Sequence, residues 1–230
     1  MIQKSILIVL LLDVFQIVHA GRPIETDDAS VSDYRTCQVD LWTETAMQVR
    51  QDNFNAGCNF FENGEFSLGV ADVSGNREDR SQYSLGYKHI LKHFTGTSTG
   101  YGLAVSTDSG EFQVTDNSSN ESLVTAVSTV PLGGKHLLLH LNLGYLQYID
   151  QLVDDSSFFT AAALDYSLND RLGFSVETFS GVEDSLSWRF GARYALIPEF
   201  FQIDASYGSD FGASHLAKVF TLGVGFTPKF

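Results

Sequence analysis

A chain of 230 residues that is 43% hydrophobic and 13% aromatic can bury a large apolar surface, which excludes a disordered polymer and fits one domain. Its formal net charge of −14 repels phosphate backbones, so no nucleic-acid partner is expected. Two cysteines are too few for a disulfide-scaffolded mini-protein or an all-cysteine zinc centre.

Residues 1–20 place Lys4 before the apolar stretches Ile6 to Leu12 and Val14 to Val18, and end on the small Ala20. This order describes a secretory signal peptide, with the mature chain starting at Gly21. Asp13 interrupts the stretch and argues against a permanent membrane helix. No later apolar run approaches the roughly 18 residues of a membrane-spanning helix, so any insertion must be as a closed β-barrel. Residues 21–36 read as a periplasmic N-terminal leader. Its acidic stretch Glu25 to Asp28 could bind cations or plug the periplasmic mouth, and a solvated leader is the favoured expectation.

From Cys37 to Phe230 the dominant period is two. The expected strands, about twelve, span 37–46, 49–58, 65–73, 80–91, 101–108, 122–131, 136–146, 158–167, 172–179, 186–196, 200–208 and 219–230. In the seventh, Leu137, Leu139, Leu141, Leu143 and Tyr145 share one face, opposite His136, Leu138, His140, Asn142 and Gly144. The last repeats this with Phe220, Leu222, Val224 and Phe226 against Thr221, Gly223, Gly225 and Thr227. Tyr83, Leu85 and Tyr87 oppose Gln82, Ser84, Gly86 and Lys88 in the same manner.

Connections after odd strands are long and polar, as in Ser109 to Glu121 and Gln147 to Ser157, whereas those after even strands are tight, as in Leu132 to Gly134. Alternating loop lengths and an even strand count predict an all-β transmembrane antiparallel barrel of up-and-down topology over residues 37–230, in the outer membrane of a Gram-negative bacterium. A lipocalin-like soluble barrel would need a solvated face rich in Lys, Glu and Asp, yet the polar faces are mainly Gly, Ala, Ser and Thr. Outer-membrane lipids are the expected surroundings. The strand ending at Phe230 suits recognition by the barrel assembly machinery. A monomer is expected because nothing polar interrupts the outward faces.

Strand parity turns Lys88, His136, His140, Asn142, Asp165, Glu177, Arg189, Arg193 and Asp204 into the lumen, with Asp40 and Glu65. Unpaired charges in a narrow interior are costly, so the favoured expectation is an ion-pair ladder bracing the wall. A charged constriction selecting solutes is the sharper alternative. His136 and His140 invite a metal, but four residues along a strand span about 13 Å, too far for one ion. No metal and no cofactor are expected. Cys37 opens the first strand and Cys58 closes the second, so an antiparallel hairpin brings them together, and an oxidising compartment permits a disulfide. Ser187, Ser206 and His140 supply the residue types of a barrel hydrolase without any local signature, so no catalytic residue is expected.

The strings RPIETDDA (Arg22 to Ala29), CQVDLW (Cys37 to Trp42), GCNFFENGEFSLG (Gly57 to Gly69), HLNLGYL (His140 to Leu146), FGARY (Phe190 to Tyr194) and QIDASYG (Gln202 to Gly208) occur in this order. Together, over Arg22 to Phe230, they resemble the proteobacterial outer-membrane barrels labelled putative transporters of the MetA pathway of phenol degradation. The resemblance implies transport and carries no catalytic residues. The loop Thr107 to Glu121 departs from that pattern. The expected function is a channel or facilitator for passive passage of small solutes, with small hydrophobic or aromatic compounds as the implied class. The alternatives are a non-conducting structural or surface-binding barrel and a lipid-modifying enzyme of the outer membrane.

Overall fold

The computed structural model describes residues 24–46, 49–75, 79–112, 118–149, 154–180, 186–211 and 218–229. Twelve strands follow one another: β1 (Cys37–Ala46), β2 (Val49–Asn59), β3 (Gly64–Gly75), β4 (Arg80–Lys92), β5 (Gly100–Phe112), β6 (Ser118–Pro131), β7 (Leu137–Ile149), β8 (Asp154–Ser167), β9 (Leu172–Ser180), β10 (Leu186–Ile197), β11 (Phe201–Asp210) and β12 (Lys218–Phe226). Each pairs antiparallel with its sequence neighbours, and β12 returns to β1, from Val39 opposite Phe226 to Ala46 opposite Val219. Closure leaves no unpaired sheet edge, which is the condition for a sheet to sit in hydrocarbon.

The pleat explains why these residues choose strands. Along β7, Leu141, Leu143 and Tyr145 stand exposed on the outside, while Leu138, His140, Asn142, Gly144 and Leu146 are buried. β12 repeats the alternation, with Phe220 and Leu222 exposed and Thr221, Gly223, Gly225 and Thr227 buried. Tyr83, Leu85, Leu68 and Phe158 join the same outer band. Water-soluble monomers rarely present a continuous apolar surface of this extent, whereas acyl chains accept it. Among the described residues no helix is long and apolar enough to cross a membrane.

The ends of the barrel differ. At the near rim, where the chain enters and leaves, Thr36 bridges Lys229, and the directly paired Cys37 and Cys58 form a disulfide. Tight turns close this rim, with Gly134 at φ 63° in the link before β7. Aromatic pairs ring it on the outside: Phe66 with Tyr87 at 4.6 Å between ring centres, and Phe201 with Phe226 at 4.7 Å. Such a belt suits a membrane–water interface. At the far rim each connection includes residues outside those described.

Several expected boundaries move. β5 and β6 run to Phe112 and from Ser118, and β7 and β8 to Ile149 and from Asp154, so the expected loops Ser109 to Glu121 and Gln147 to Ser157 are largely strand. Asp108 opposite Glu121 and Ser109 opposite Asn120 show the cause: ladder hydrogen bonds continue past the apolar band whatever the residue types. The last strand ends at Phe226, and Phe230 lies outside the described residues. The signal segment 1–20 also lies outside them.

Leu143 is 60% exposed and central in β7, so replacing it tests the outward face. Leu143→Arg is expected to lower the stability of the barrel in lipid vesicles by about 2–4 kcal/mol. Guanidinium unfolding in vesicles reads this directly, and an unchanged midpoint would place that face in water.

Candidate functional site

The lumen is occupied by the chain itself. Residues 24–36 enter at the near rim and lie against the inner wall, where Thr26 is 4% exposed and Ala29 wholly buried. The expectation of a solvated leader is therefore corrected. A segment outside the sheet must still find partners for its N–H and C=O groups. Arg35 and Thr36 exchange backbone bonds with Asn59 of β2 at 3.0 Å each, whereas residues 25–32 meet side chains of the wall.

They come from five strands. The N–H of Glu25 donates to both carboxylate oxygens of Glu177 on β9 at 2.9 Å, and Thr26 adds its N–H at 2.9 Å and its hydroxyl at 2.8 Å. Asn142 on β7 clamps Asp27 from both sides: its amide oxygen accepts the Asp27 N–H at 2.7 Å, and its amide nitrogen donates to the Asp27 carbonyl at 2.8 Å. Thr129 on β6 accepts the N–H of Ala29 at 2.8 Å, and Glu65 on β3 that of Ser32 at 2.9 Å. Asn59 on β2 donates to the Ser32 carbonyl at 2.5 Å. Between these points Asp27 and Asp28 fold the leader locally, accepting the N–H groups of Asp28 and Ser30 at 3.0 Å each.

Charge fastens the side chains too. Lys88 Nζ lies 2.8 Å from Asp27 and 3.6 Å from Asp28. Arg189 reaches Glu25 at 3.2 Å, Glu44 at 3.5 Å and Glu177 at 3.9 Å, and its guanidinium lies 5.6 Å from the Phe179 ring centre. Lys88 thus meets acids of the leader, and Arg189 acids of both leader and wall. In a confined lumen this mutual compensation is what keeps such charges tolerable.

The remaining candidates fall beside this core. Arg193 passes over β9 to make two bonds with Asp165 on β8, at 2.5 and 2.7 Å. Gly173 permits the path, because a Cβ there would stand 2.8 Å from Arg193 Nε. Arg193 is directly paired with Asp204, yet the guanidinium turns to Asp165, and Asp204 keeps one buried carboxylate oxygen without a hydrogen-bond partner. His140 is buried with Nδ1 3.0 Å from the Thr129 hydroxyl. His136 does not line the wall as expected: it stands exposed at the near rim, before β7 begins, with Nδ1 3.3 Å from the Ser167 carbonyl. In place of a ladder along the wall, Glu25 of the leader takes Arg189, Asp27 and Asp28 take Lys88, and Arg193 is left to Asp165.

Among the described residues no group of three or more His, Cys, Asp or Glu could hold a metal ion. Ser187 donates to Asp210 at the far rim at 2.5 Å, while His140 sits near the opposite end of β7, so the two are not brought together. Beside the leader a cavity of about 760 Å³ opens between polar and charged side chains, including Asp40, Glu65, Lys88, His140, Asp165 and Arg193. Sequence parity found the wall but missed Glu44, Asn59 and Thr129 as partners. It held the leader's place in the lumen only as the alternative to a solvated leader, on the single signal of the acidic stretch Glu25 to Asp28.

The sequence signature of the family described as Uncharacterised conserved protein UCP029691 matches residues 8–227. The chain belongs to that family. No curated protein matches the sequence. Among solved structures, the barrel is similar to the KdgM porin, at 12% identity and a TM-score of 0.62, covering 82% of this chain and 98% of that one. It is also similar to the COG4313 outer membrane channel from Pseudomonas putida F1, at 11% identity and a TM-score of 0.62, covering 90% and 100%. The NanC porin follows at 11% identity and a TM-score of 0.54, covering 83% and 98%. These likenesses establish the outer-membrane barrel fold. The family description names no phenol pathway, and that label stays with the resemblance alone.

The Arg193–Asp165 pair offers a direct test of the lumen's electrostatics. Asp165→Asn is expected to destabilise the barrel by roughly 3 kcal/mol, since it strands a cation in the wall, whereas replacing both partners by Leu and Met restores most of the loss. Thermal unfolding in detergent of the two variants would show the difference; equal losses would mean the pair is solvated.

Proposed function

We propose that this protein is a narrow channel of a Gram-negative outer membrane, open to small polar solutes by passive diffusion and partly filled by its own leader. The supporting observation is the leader itself: a stretch of chain lies inside the wall on polar contacts, beside a cavity of about 760 Å³. A twelve-stranded barrel is wider than the side-chain-filled eight-stranded kind and narrower than a sixteen-stranded porin, and a lumen that admits a peptide chain admits small molecules when that chain moves.

Polar wall groups around the cavity favour polar solutes over the hydrophobic or aromatic compounds implied by the resemblance. Within the same reading, residues 1–20 direct export, the leader follows signal removal, the β12 end engages the assembly machinery, and the barrel works as a monomer in lipid. The wall residues Lys88, Asn142, Asp165, Glu177, Arg189 and Arg193 then set what passes. A second reading, a barrel sealed by its leader, draws on the same contacts and differs only in whether they release.

Planar-bilayer recording separates the two. The intact protein is expected to show a small, intermittent conductance, and the triple variant Glu25→Gln, Asp27→Asn, Asp28→Asn a conductance several-fold larger, because Lys88 and Arg189 lose their leader partners. Silence from both proteins, with the variant folded by heat-shifted gel migration, would leave the sealed barrel.

A further inference from the structure

The wall reads the leader as a peptide. Two carboxylates, an amide and a hydroxyl accept main-chain N–H groups at positions 25, 26, 27, 29 and 32, and amide groups donate to the carbonyls at 27 and 32. The clearest element is Asn142, which binds both the N–H and the C=O of a single residue, a match for an amide backbone and for little else. Superimposed on this main-chain recognition is a charge filter: Lys88 and Arg189 hold acidic side chains at 27, 28 and 25.

We propose that the lumen is a binding site for short acidic peptides, and that the leader is its resident ligand, exchangeable for a peptide arriving from solution. The inference rests on the channel reading only in requiring that one mouth admit solute. Bonds from wall side chains to the main chain hold the peptide whatever its own side chains are, and so carry little sequence preference. The two cations supply the preference for carboxylates. Wall acids Glu177 and Glu65 sharpen it, since they need N–H or O–H donors and repel a ligand offering carboxylates alone. A tethered leader enjoys a millimolar effective concentration, so a free peptide competes poorly until the leader's own grip is weakened.

The test therefore uses the full chain carrying Glu25→Gln, Asp27→Asn and Asp28→Asn, solubilised in detergent so that both mouths are open. A fluorescent peptide with the sequence of residues 24–32 is titrated in and followed by anisotropy. Saturable binding is expected, weakened roughly tenfold or more when the peptide carries the same three neutral changes, and by a similar factor when its Asp27 and Ala29 nitrogens are methylated. Citrate, a polycarboxylate without amides, is expected to compete weakly. Absence of saturable binding, indifference to methylation, or citrate competing as well as unlabelled peptide would each overturn the proposal. Asn142→Ala provides a wall-side check, expected to weaken native peptide while heat-shifted migration stays intact. If it fails to fold, Lys88→Gln takes its place, with loss of preference for the acidic peptide as the expected result. Binding is read without any current, so a barrel that binds peptide yet never conducts fails as a channel and not here, and one that conducts without binding fails here alone.

Discussion

A chain laid inside a closed barrel brings N–H and C=O groups that the ladder of the wall, spent on closure, leaves largely to side chains. That requirement propagates through the lumen. Glu177 and Glu65 accept N–H groups, which places carboxylates in a confined interior. Carboxylates there need cations nearby, and Arg189 stands within 3.9 Å of Glu177. Arg189 and Lys88 in turn draw the acids of the leader. Backbone satisfaction and charge balance are one problem in this molecule, solved by a single web that crosses from wall to leader and back.

Room for that web comes from small inward residues. Gly173 lets the Arg193 side chain lie across β9 to Asp165, and Gly57 leaves space for the Glu65 carboxylate, which would stand 2.9 Å from a Cβ there. The outward face answers to a different demand, since large apolar side chains such as Leu68, Tyr83, Leu85, Leu143, Phe158, Phe220 and Leu222 stand toward the surroundings at alternate positions. One period of two thus sorts residues by size as well as polarity: bulk outside, where lipid is deformable, and compact or charged groups inside, where a chain must pass.

The fold was legible because this sorting is written residue by residue. β1 was expected at 37–46 and is found there, and the parity of β7 and β12 is as read from their leucines and phenylalanines. Boundaries were harder wherever pairing outran composition, as where Asp108 faces Glu121 in a ladder that polar residues alone would not announce. The site was legible only in half. Parity turns Lys88, Asn142, Glu177 and Arg189 inward, but a strand pattern says nothing of a segment without periodicity, and residues 24–36 have none. His136 shares the inward parity and still stands at the rim, because parity orders side chains within a strand and not beyond its end.

The chemistry of the fastening also bears on whether the leader can leave. An apolar plug would lose its hydrophobic contacts outright on entering water, while hydrogen bonds to the wall exchange for bonds to water at a net cost of only about 0.5–1.5 kcal/mol each. Ion pairs such as Lys88–Asp27 weaken further as salt enters an opening lumen. The disulfide between Cys37 and Cys58 anchors the base of the leader to the rim, so departure changes the position of residues 24–33 and not the strand that follows. A polar strap on a covalently fixed base therefore stands in direct competition with water for the same wall groups, and its hold is the sum of many small differences, not one large one.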